Sequence, residues 1–326
     1  MELAKNNPTL INKKNVTIWA IAIGAVVAVS IVPVVFSRYV IYVATLALLY
    51  AMLTASYDLI FGYTGQLSFS QGAFFGLGAY TSALLTLSGG LNFWLALPIT
   101  IIVGFIIAVL VGSPALRLRG SYFAVTTFFM AHFAYLVFLN TYKLTGGPMG
   151  LRNIQPPDKL WFIDFSKMNV YFYFVLFFTI LVLLFLYYLI YKTDIGRRFV
   201  AIREDQDLAE SLGIDTSFYK VLSFSISGAL AALCGSLFAH YFLLLHPSQF
   251  AWFTSEMIVI MTLVGGAGTL IGPVLGAAVV TFVLELFRYA PELRFIIWAA
   301  ALIAILVFEP KGLMGMAKRI RFRRSQ

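Results

Sequence analysis

Charge is the scarcest feature of this chain. Asp, Glu, Lys and Arg together make up 11% of its 326 residues, where a soluble globular protein carries about a quarter. With 61% hydrophobic residues and a mean hydropathy of +0.90, the sequence excludes a soluble fold and reads as a polytopic membrane protein. It has a single cysteine, Cys234, which excludes an internal disulfide; set among Ala, Leu and Gly, it reads as a packing residue. No GxxxxGK[ST] phosphate cradle and no HExxH or CxxC metal spacing occurs, so any ATP that drives this chain binds elsewhere. The three histidines, His132, His240 and His246, are scattered and read as interior or interfacial side chains. No nucleophile or acid–base constellation supports a membrane enzyme. The net charge of +9 would suit nucleic acid, but the basic residues sit beside apolar runs and build no aromatic-interleaved face, so they report topology.

A bilayer core about 30 Å thick takes roughly 20 apolar residues as helix. On that measure ten spans are expected, near 16–36, 39–60, 67–87, 93–113, 121–139, 171–191, 218–244, 254–270, 273–289 and 293–308. The first follows Lys5, Lys13 and Lys14 like a signal peptide, but it is too long for one and lacks a cleavage site. With the N-terminus inside, only Arg38, Lys143, Arg152, Lys159, Lys167, Arg288 and Arg294 of the 23 Lys and Arg fall outside, which makes both termini cytoplasmic. One membrane domain over 1–326 results, with a cytoplasmic loop at 192–220, an external loop at 140–170 and a basic cytoplasmic tail at 309–326. No extramembrane stretch exceeds about 30 residues, too few for an independent soluble domain.

Glycines interrupt the apolar sequence at Gly62 and Gly65, and again at Gly265, Gly266, Gly268 and Gly272, as loops or as broken helices. Gly72 and Gly76 form a GxxxG pair that permits close helix packing. Gln66, Ser68, Ser70 and Gln71 need partners or water in lipid, which favours a solute path there. Gly65, Gln66, Ser68, Ser70, Gln71, Gly72, Gly265, Gly266, Gly268 and Thr269 are the candidate path residues. The carboxylates Asp58, Glu256 and Glu285 all fall near span ends, Glu285 within reach of Arg288, so no mid-membrane proton relay is visible.

In the charged stretch, Asp205 or Asp207 can cap a short helix over Leu208–Leu212 that stops at Gly213. Leu208 and Leu212, at i,i+4, present an apolar stripe that would lie on lipid or fit a partner's groove; the acidic flanks favour the partner.

Five stretches carry a resemblance: GYTGQLSFSQGAFFGLGAYTSALL from Gly62, LRLRGSYFAVTTF from Leu116, LTGGPMGL from Leu144, GRRFVAIREDQDLAESLGIDTSFYK from Gly196 and HPSQFAWFTSEMIVIMTLVGGAGTLIGPVLGA from His246. The chain resembles the second-type permease subunit of branched-chain amino acid (leucine/isoleucine/valine) ABC importers. It departs from the family pattern at Ser70-Gln71, Pro148-Met149, Gln206 and Leu208. The resemblance implies an all-α integral membrane protein of about ten transmembrane helices, some broken at glycines, in a bacterial plasma (inner) membrane. It implies as partners a second permease subunit, two cytoplasmic ATPase subunits that hold ATP and Mg, and an external solute-binding protein. Arg203, Glu204, Asp205, Leu208, Ala209, Glu210, Leu212 and Gly213 then belong to a short coupling helix and its flanks. A permease for urea or short amides and a self-contained secondary carrier, with substrate at the glycine breaks, are the rival readings.

Overall fold

In a computed structural model, residues 24, 27–161, 163–287 and 312–315 are described. Among the described residues, ten helices of six or more residues carry the architecture: α1 Arg38–Asp58, α2 Gln71–Leu87, α3 Phe93–Ala115, α4 Ser121–Asn140, α5 Met168–Lys192, α6 Asp194–Glu204, α7 Gln206–Ser211, α8 Thr216–Phe242, α9 Trp252–Gly265 and α10 Gly272–Leu286. Among the described residues there are no strands, only isolated bridges such as Leu151 with Leu245. Among the described residues, five helices are long and apolar enough to cross a membrane: α1 with its extension to Tyr63, α3, α4, α5 and α8. The helices α9 and α10 are apolar but shorter, and α2 has 17 residues. Eight of the ten expected runs thus coincide with helices; of 16–36 the described part is helical at 27–30 and 32–35, and 293–308 lies outside the described residues. Two of the eight, 67–87 and 254–270, lose an end because irregular backbone at 64–70 and 266–271 replaces it.

The long helices run between two ends. One holds the charged segment α6–α7; the other holds the 140–170 connection. At the charged end, Arg119 before α4 meets Asp207 at 2.9 Å. At the loop end, the Phe93 amide that opens α3 donates to Asp158 at 3.0 Å, and Tyr39 near the start of α1 donates to Glu285 near the end of α10 at 2.5 Å. Beyond the undescribed stretch, Gly312 lies back at the charged end, where a Cβ on it would stand 2.6 Å from the Gly266 amide.

Helix α8 is the spine. Its best apolar window is 78% buried, against 33% for α3 and 28% for α4, so α8 is central and the other two are peripheral. Lipid gives helices no hydrophobic reason to associate, so close contact comes from small residues. Ser225, Ser227, Gly228, Ala229, Ala231, Ala232, Cys234, Gly235 and Ser236 supply it, all buried. At the crossing with α2, a Cβ on Gly78 would stand 2.1 Å from the Ala232 carbonyl oxygen, and one on Gly235 2.0 Å from that of Phe75. This pair, rather than Gly72 and Gly76 alone, sets the helix spacing. Phe75 caps the crossing with edge contacts to Phe238 and Phe250, at ring distances of 5.0 and 5.2 Å. Cys234 is buried as expected, its thiol on the Leu49 carbonyl at 3.1 Å.

The 140–170 connection is packed against this spine. His240 on α8 joins Ser82 of α2 through Nε2 at 3.0 Å and the Gln155 carbonyl through Nδ1 at 2.6 Å. It is the satisfied interior histidine the sequence led us to expect.

Substituting Gly78→Ile forces α2 off α8 and costs about 1–3 kcal/mol or more by overpacking. Thermal unfolding of the purified protein in detergent should fall clearly for Gly78→Ile and stay near the parent for Leu110→Ala, which removes an outward side chain.

Candidate functional site: the glycine junction beneath the charged segment

The charged segment folds as two helices. In α6, Phe199 and Ile202 are buried, and Arg198 lies over the Tyr219 ring at 5.0 Å. Asp205 alone is extended between the helices, and it is the residue that caps α7, accepting the Leu208 amide at 3.0 Å. Gly213 follows with φ +82°.

Helix α7 has an inner and an outer side. Ala209 is buried. Gln206 accepts from the buried Lys220 ammonium and donates to Glu210 at 2.8 Å. Glu210 also accepts the Thr216 hydroxyl at 2.5 Å and faces Arg119 at 3.8 Å. The Thr216 hydroxyl foremost, then the Gln206 amide, holds the Glu210 carboxyl below the usual range. Both hydrogen bonds favour the ionised form, so the inner contacts persist near neutral pH and loosen only as pH falls through that lowered value. On the outer side, Leu208 and Leu212 are 57% and 73% exposed.

The glycine breaks meet directly under α6. Helix α1 ends in a π-turn, Leu59–Tyr63, whose Gly62 carbonyl accepts Arg203 Nη1 at 2.7 Å. Asp58, one turn earlier and 1% exposed, accepts the Gly268 amide at 2.8 Å. A Cβ on Gly62 would stand 2.2 Å from the Gly268 nitrogen, so the two breaks touch backbone to backbone. Gly65, with φ +75°, leaves room for the Arg203 stem, which would stand 2.9 Å from a Cβ there. Glu204 holds the guanidinium from its other side, accepting Nη2 at 2.5 Å. One arginine therefore bridges the charged segment and both breaks.

The remaining candidate path residues fall into two levels. Gly265 and Gly266 are buried at the junction, and Thr269 donates to the Gly266 carbonyl at 2.7 Å. The partly buried Gln66 ties back through its amide to Ile60 at 2.9 Å. Deeper, Ser68 and Ser70 share a hydrogen bond at 2.9 Å. Gln71 is buried and donates to Ser56 at 2.9 Å while accepting from Ser227 at 3.3 Å. The Gly72 amide donates to Ser255 at 2.9 Å. Ser227 lies roughly 16 Å along α8 from Thr216 at 1.5 Å per residue, so this cluster sits well inside the bundle and the junction nearer the charged end. Arg288, the expected partner of Glu285, lies outside the described residues.

Sequence reasoning missed Asp58, Ser56, Ser227, Ser255 and Arg119 as members of the site. Ser227 had a signal in the run of small residues on α8; Arg119 was read only as topology. Among the described residues no group of His, Cys, Asp or Glu could hold a metal ion.

A bundle of apolar helices, with glycine breaks that meet beneath a charged segment, is the architecture of a multi-pass membrane protein. Residues 39–307 match the family described as "Branched-chain amino acid transport system / permease component". The chain belongs to that family and is a permease subunit of an ABC importer. It is 29% identical over 308 residues to the high-affinity branched-chain amino acid transport system permease protein LivM of Salmonella typhimurium, covering 88% of this chain and 72% of that one. A probable LivM of Methanocaldococcus jannaschii is 25% identical over 238 residues, 68% of this chain and 67% of that one. The autoinducer 2 import system permease protein LsrC of Salmonella typhi is 28% identical over 186 residues, 55% of this chain and 51% of that one. No solved structure matches the chain.

Replacing Arg203 by Ala removes the charge-assisted bond to Gly62, worth about 1.5–3 kcal/mol. Amide hydrogen exchange over 59–70 and 266–271 should then speed up about tenfold or more, with exchange over 78–83 unchanged. Equal exchange in the parent and the variant would show that the arginine does not hold the junction.

Proposed function

We propose that this chain forms one half of the pathway of an ATP-driven importer, moving branched-chain or other amino acids inward after an external binding protein delivers them. A second permease subunit completes the pathway, and two ATPase subunits that hold ATP and Mg drive it from the charged end. That end is cytoplasmic in a bacterial plasma membrane. The observation that carries this reading is Arg203. It sits one residue before the Glu204–Asp205 hinge into α7 and donates to Gly62 in the junction. A push on the outward Leu208 and Leu212 would thus reach the point where both breaks meet. The role of α7 is that of a coupling helix docked in a groove of an ATPase subunit. The path runs past Gly65, Gln66 and the 265–269 break and on by Ser68, Ser70, Gln71 and Gly72. The branched-chain specificity rests on the LivM relatives, whose names carry that solute.

The double variant Leu208→Asp with Leu212→Asp should reach the membrane at parental levels and lose co-purification of the ATPase subunits. Normal co-purification with normal uptake would remove the docking assignment. In proteoliposomes the assembled complex should import leucine only with ATP inside and binding protein outside. Uptake by this chain alone on an ion gradient would instead establish a secondary carrier.

A further inference from the structure

Two cations at the loop end take no part in the contacts described above. Arg38 opens α1, and Lys167 directly precedes α5. Among the described residues, neither side chain makes a hydrogen bond or an ion pair. Both line one cavity of about 550 Å³ between the first turns of the two helices, together with the exposed Ser166 and Asn169. The carboxylates nearby are engaged elsewhere: Asp164 by Lys159 at 3.3 Å and by the Ser166 amide at 3.1 Å, and Glu285 by the Tyr39 hydroxyl. The rest of the lining is apolar and includes Pro33, Phe36 and Ile41. Ile41 is buried and packs with Ala44, Phe172 and Leu176, which closes the seam between α1 and α5 beneath the cavity. Beside the mouth, Val34, Val35 and Phe36 are 79%, 66% and 53% exposed, an apolar strip of the kind that lipid tails cover. Asn169 Nδ2 donates to the Pro33 carbonyl at 3.4 Å and the Tyr173 hydroxyl to that of Ser30 at 2.8 Å, so the strip is fastened to α5.

An unpaired arginine and lysine beside an exposed apolar strip match an amphiphile with an anionic head, and basic pockets between membrane helices take such headgroups. We propose that this cavity is a site for an anionic phospholipid, with its phosphate between Arg38 and Lys167 and its acyl chains along Val34, Val35 and Phe36. Arginine offers a forked donor to the phosphate oxygens and lysine a point charge. Neither α1 nor α5 carries a side-chain cap. The first-turn amides of both helices therefore add donors at the same place, and their dipoles add positive potential. A soluble anion would use the cations and leave the strip bare, whereas a lipid covers both. The site rests on the function proposed above only for its leaflet: with the charged end cytoplasmic, the cavity opens into the outer leaflet.

The test titrates the full-length protein in detergent with phosphatidylglycerol and reads the retained lipid by native mass spectrometry. The parent should keep phosphatidylglycerol in preference to phosphatidylcholine, and added salt should weaken that preference. The double variant Arg38→Gln with Lys167→Gln should bind phosphatidylglycerol about tenfold or more weakly. A control pair, Lys143→Gln with Arg152→Gln, removes two exposed cations of the 140–170 connection that do not line the cavity, and should bind like the parent. Should the double variant fail to fold, Lys167→Gln alone carries the test, with an expected loss of about threefold. Parental affinity in the cavity variants overturns the site; weakened capture of the external binding protein by those variants would then assign the two cations to protein docking. An equal loss in the control pair also overturns it, because the attraction would be one of overall charge. Displacement of the lipid by inorganic phosphate in the millimolar range would make this a soluble-anion site and overturn the lipid. Amino acid transport is not a readout, so failure of the importer reading leaves the lipid result intact.

Discussion

Two hydrogen bonds to backbone hold the charged end together: Arg203 to the Gly62 carbonyl and Gly268 to the Asp58 carboxylate. Each replaces something that helix geometry has given up. A π-turn and a broken connection leave amides and carbonyls without their usual helical partners, and in an apolar bundle each unpaired group costs several kcal/mol. The breaks are affordable only because they meet each other and the two charged side chains. Glycine at 62 is required by that meeting, since any Cβ there would occupy the space of the Gly268 amide.

The rest of the bundle is arranged so that the junction can form where it does. The small residues of α8 let α2 approach to backbone contact, which places Gln71 and Gly72 against Ser227 and Ser255. Those bonds fix the start of α2 and hence the route of residues 64–70. Without the Gly78 and Gly235 approach, α2 would stand further out, and Gln71 and Gly72 would lose Ser227 and Ser255 as partners. Packing at the centre and irregular backbone at the end are consequences of one another.

Much of this was legible in the sequence where one property repeats locally. Eight apolar runs became helices within a few residues, and the Asp205 cap, the Leu208 and Leu212 stripe and the Gly213 stop all follow from short-range rules. The junction was not legible, because Gly62 and Gly268 gain meaning only by touching across more than two hundred residues. Asp58 looked like a carboxylate at a span end, and nothing local marks it as the acceptor for a distant amide. Helix α6 was missed for a different reason: dense charge hid the period of Ile195, Phe199 and Ile202, although that spacing was present. The path residues were grouped by polarity, which could not separate a junction near the charged end from a hydrogen-bonded cluster deeper inside.

The energetic scale of the Arg203 contact suits a switch. One charge-assisted bond is worth about 1.5–3 kcal/mol, which favours the held junction over a released one by roughly ten- to a hundredfold. A protein partner bound to Leu208 and Leu212 can supply that much from a single well-buried apolar side chain. Helix α7 is held on its inner side by Gln206, Ala209 and Glu210 and joined to α6 by one extended residue. Asp205, that extended residue, lies two residues from the arginine, and the inner side of α7 is tied as well to Thr216 and Lys220 of α8.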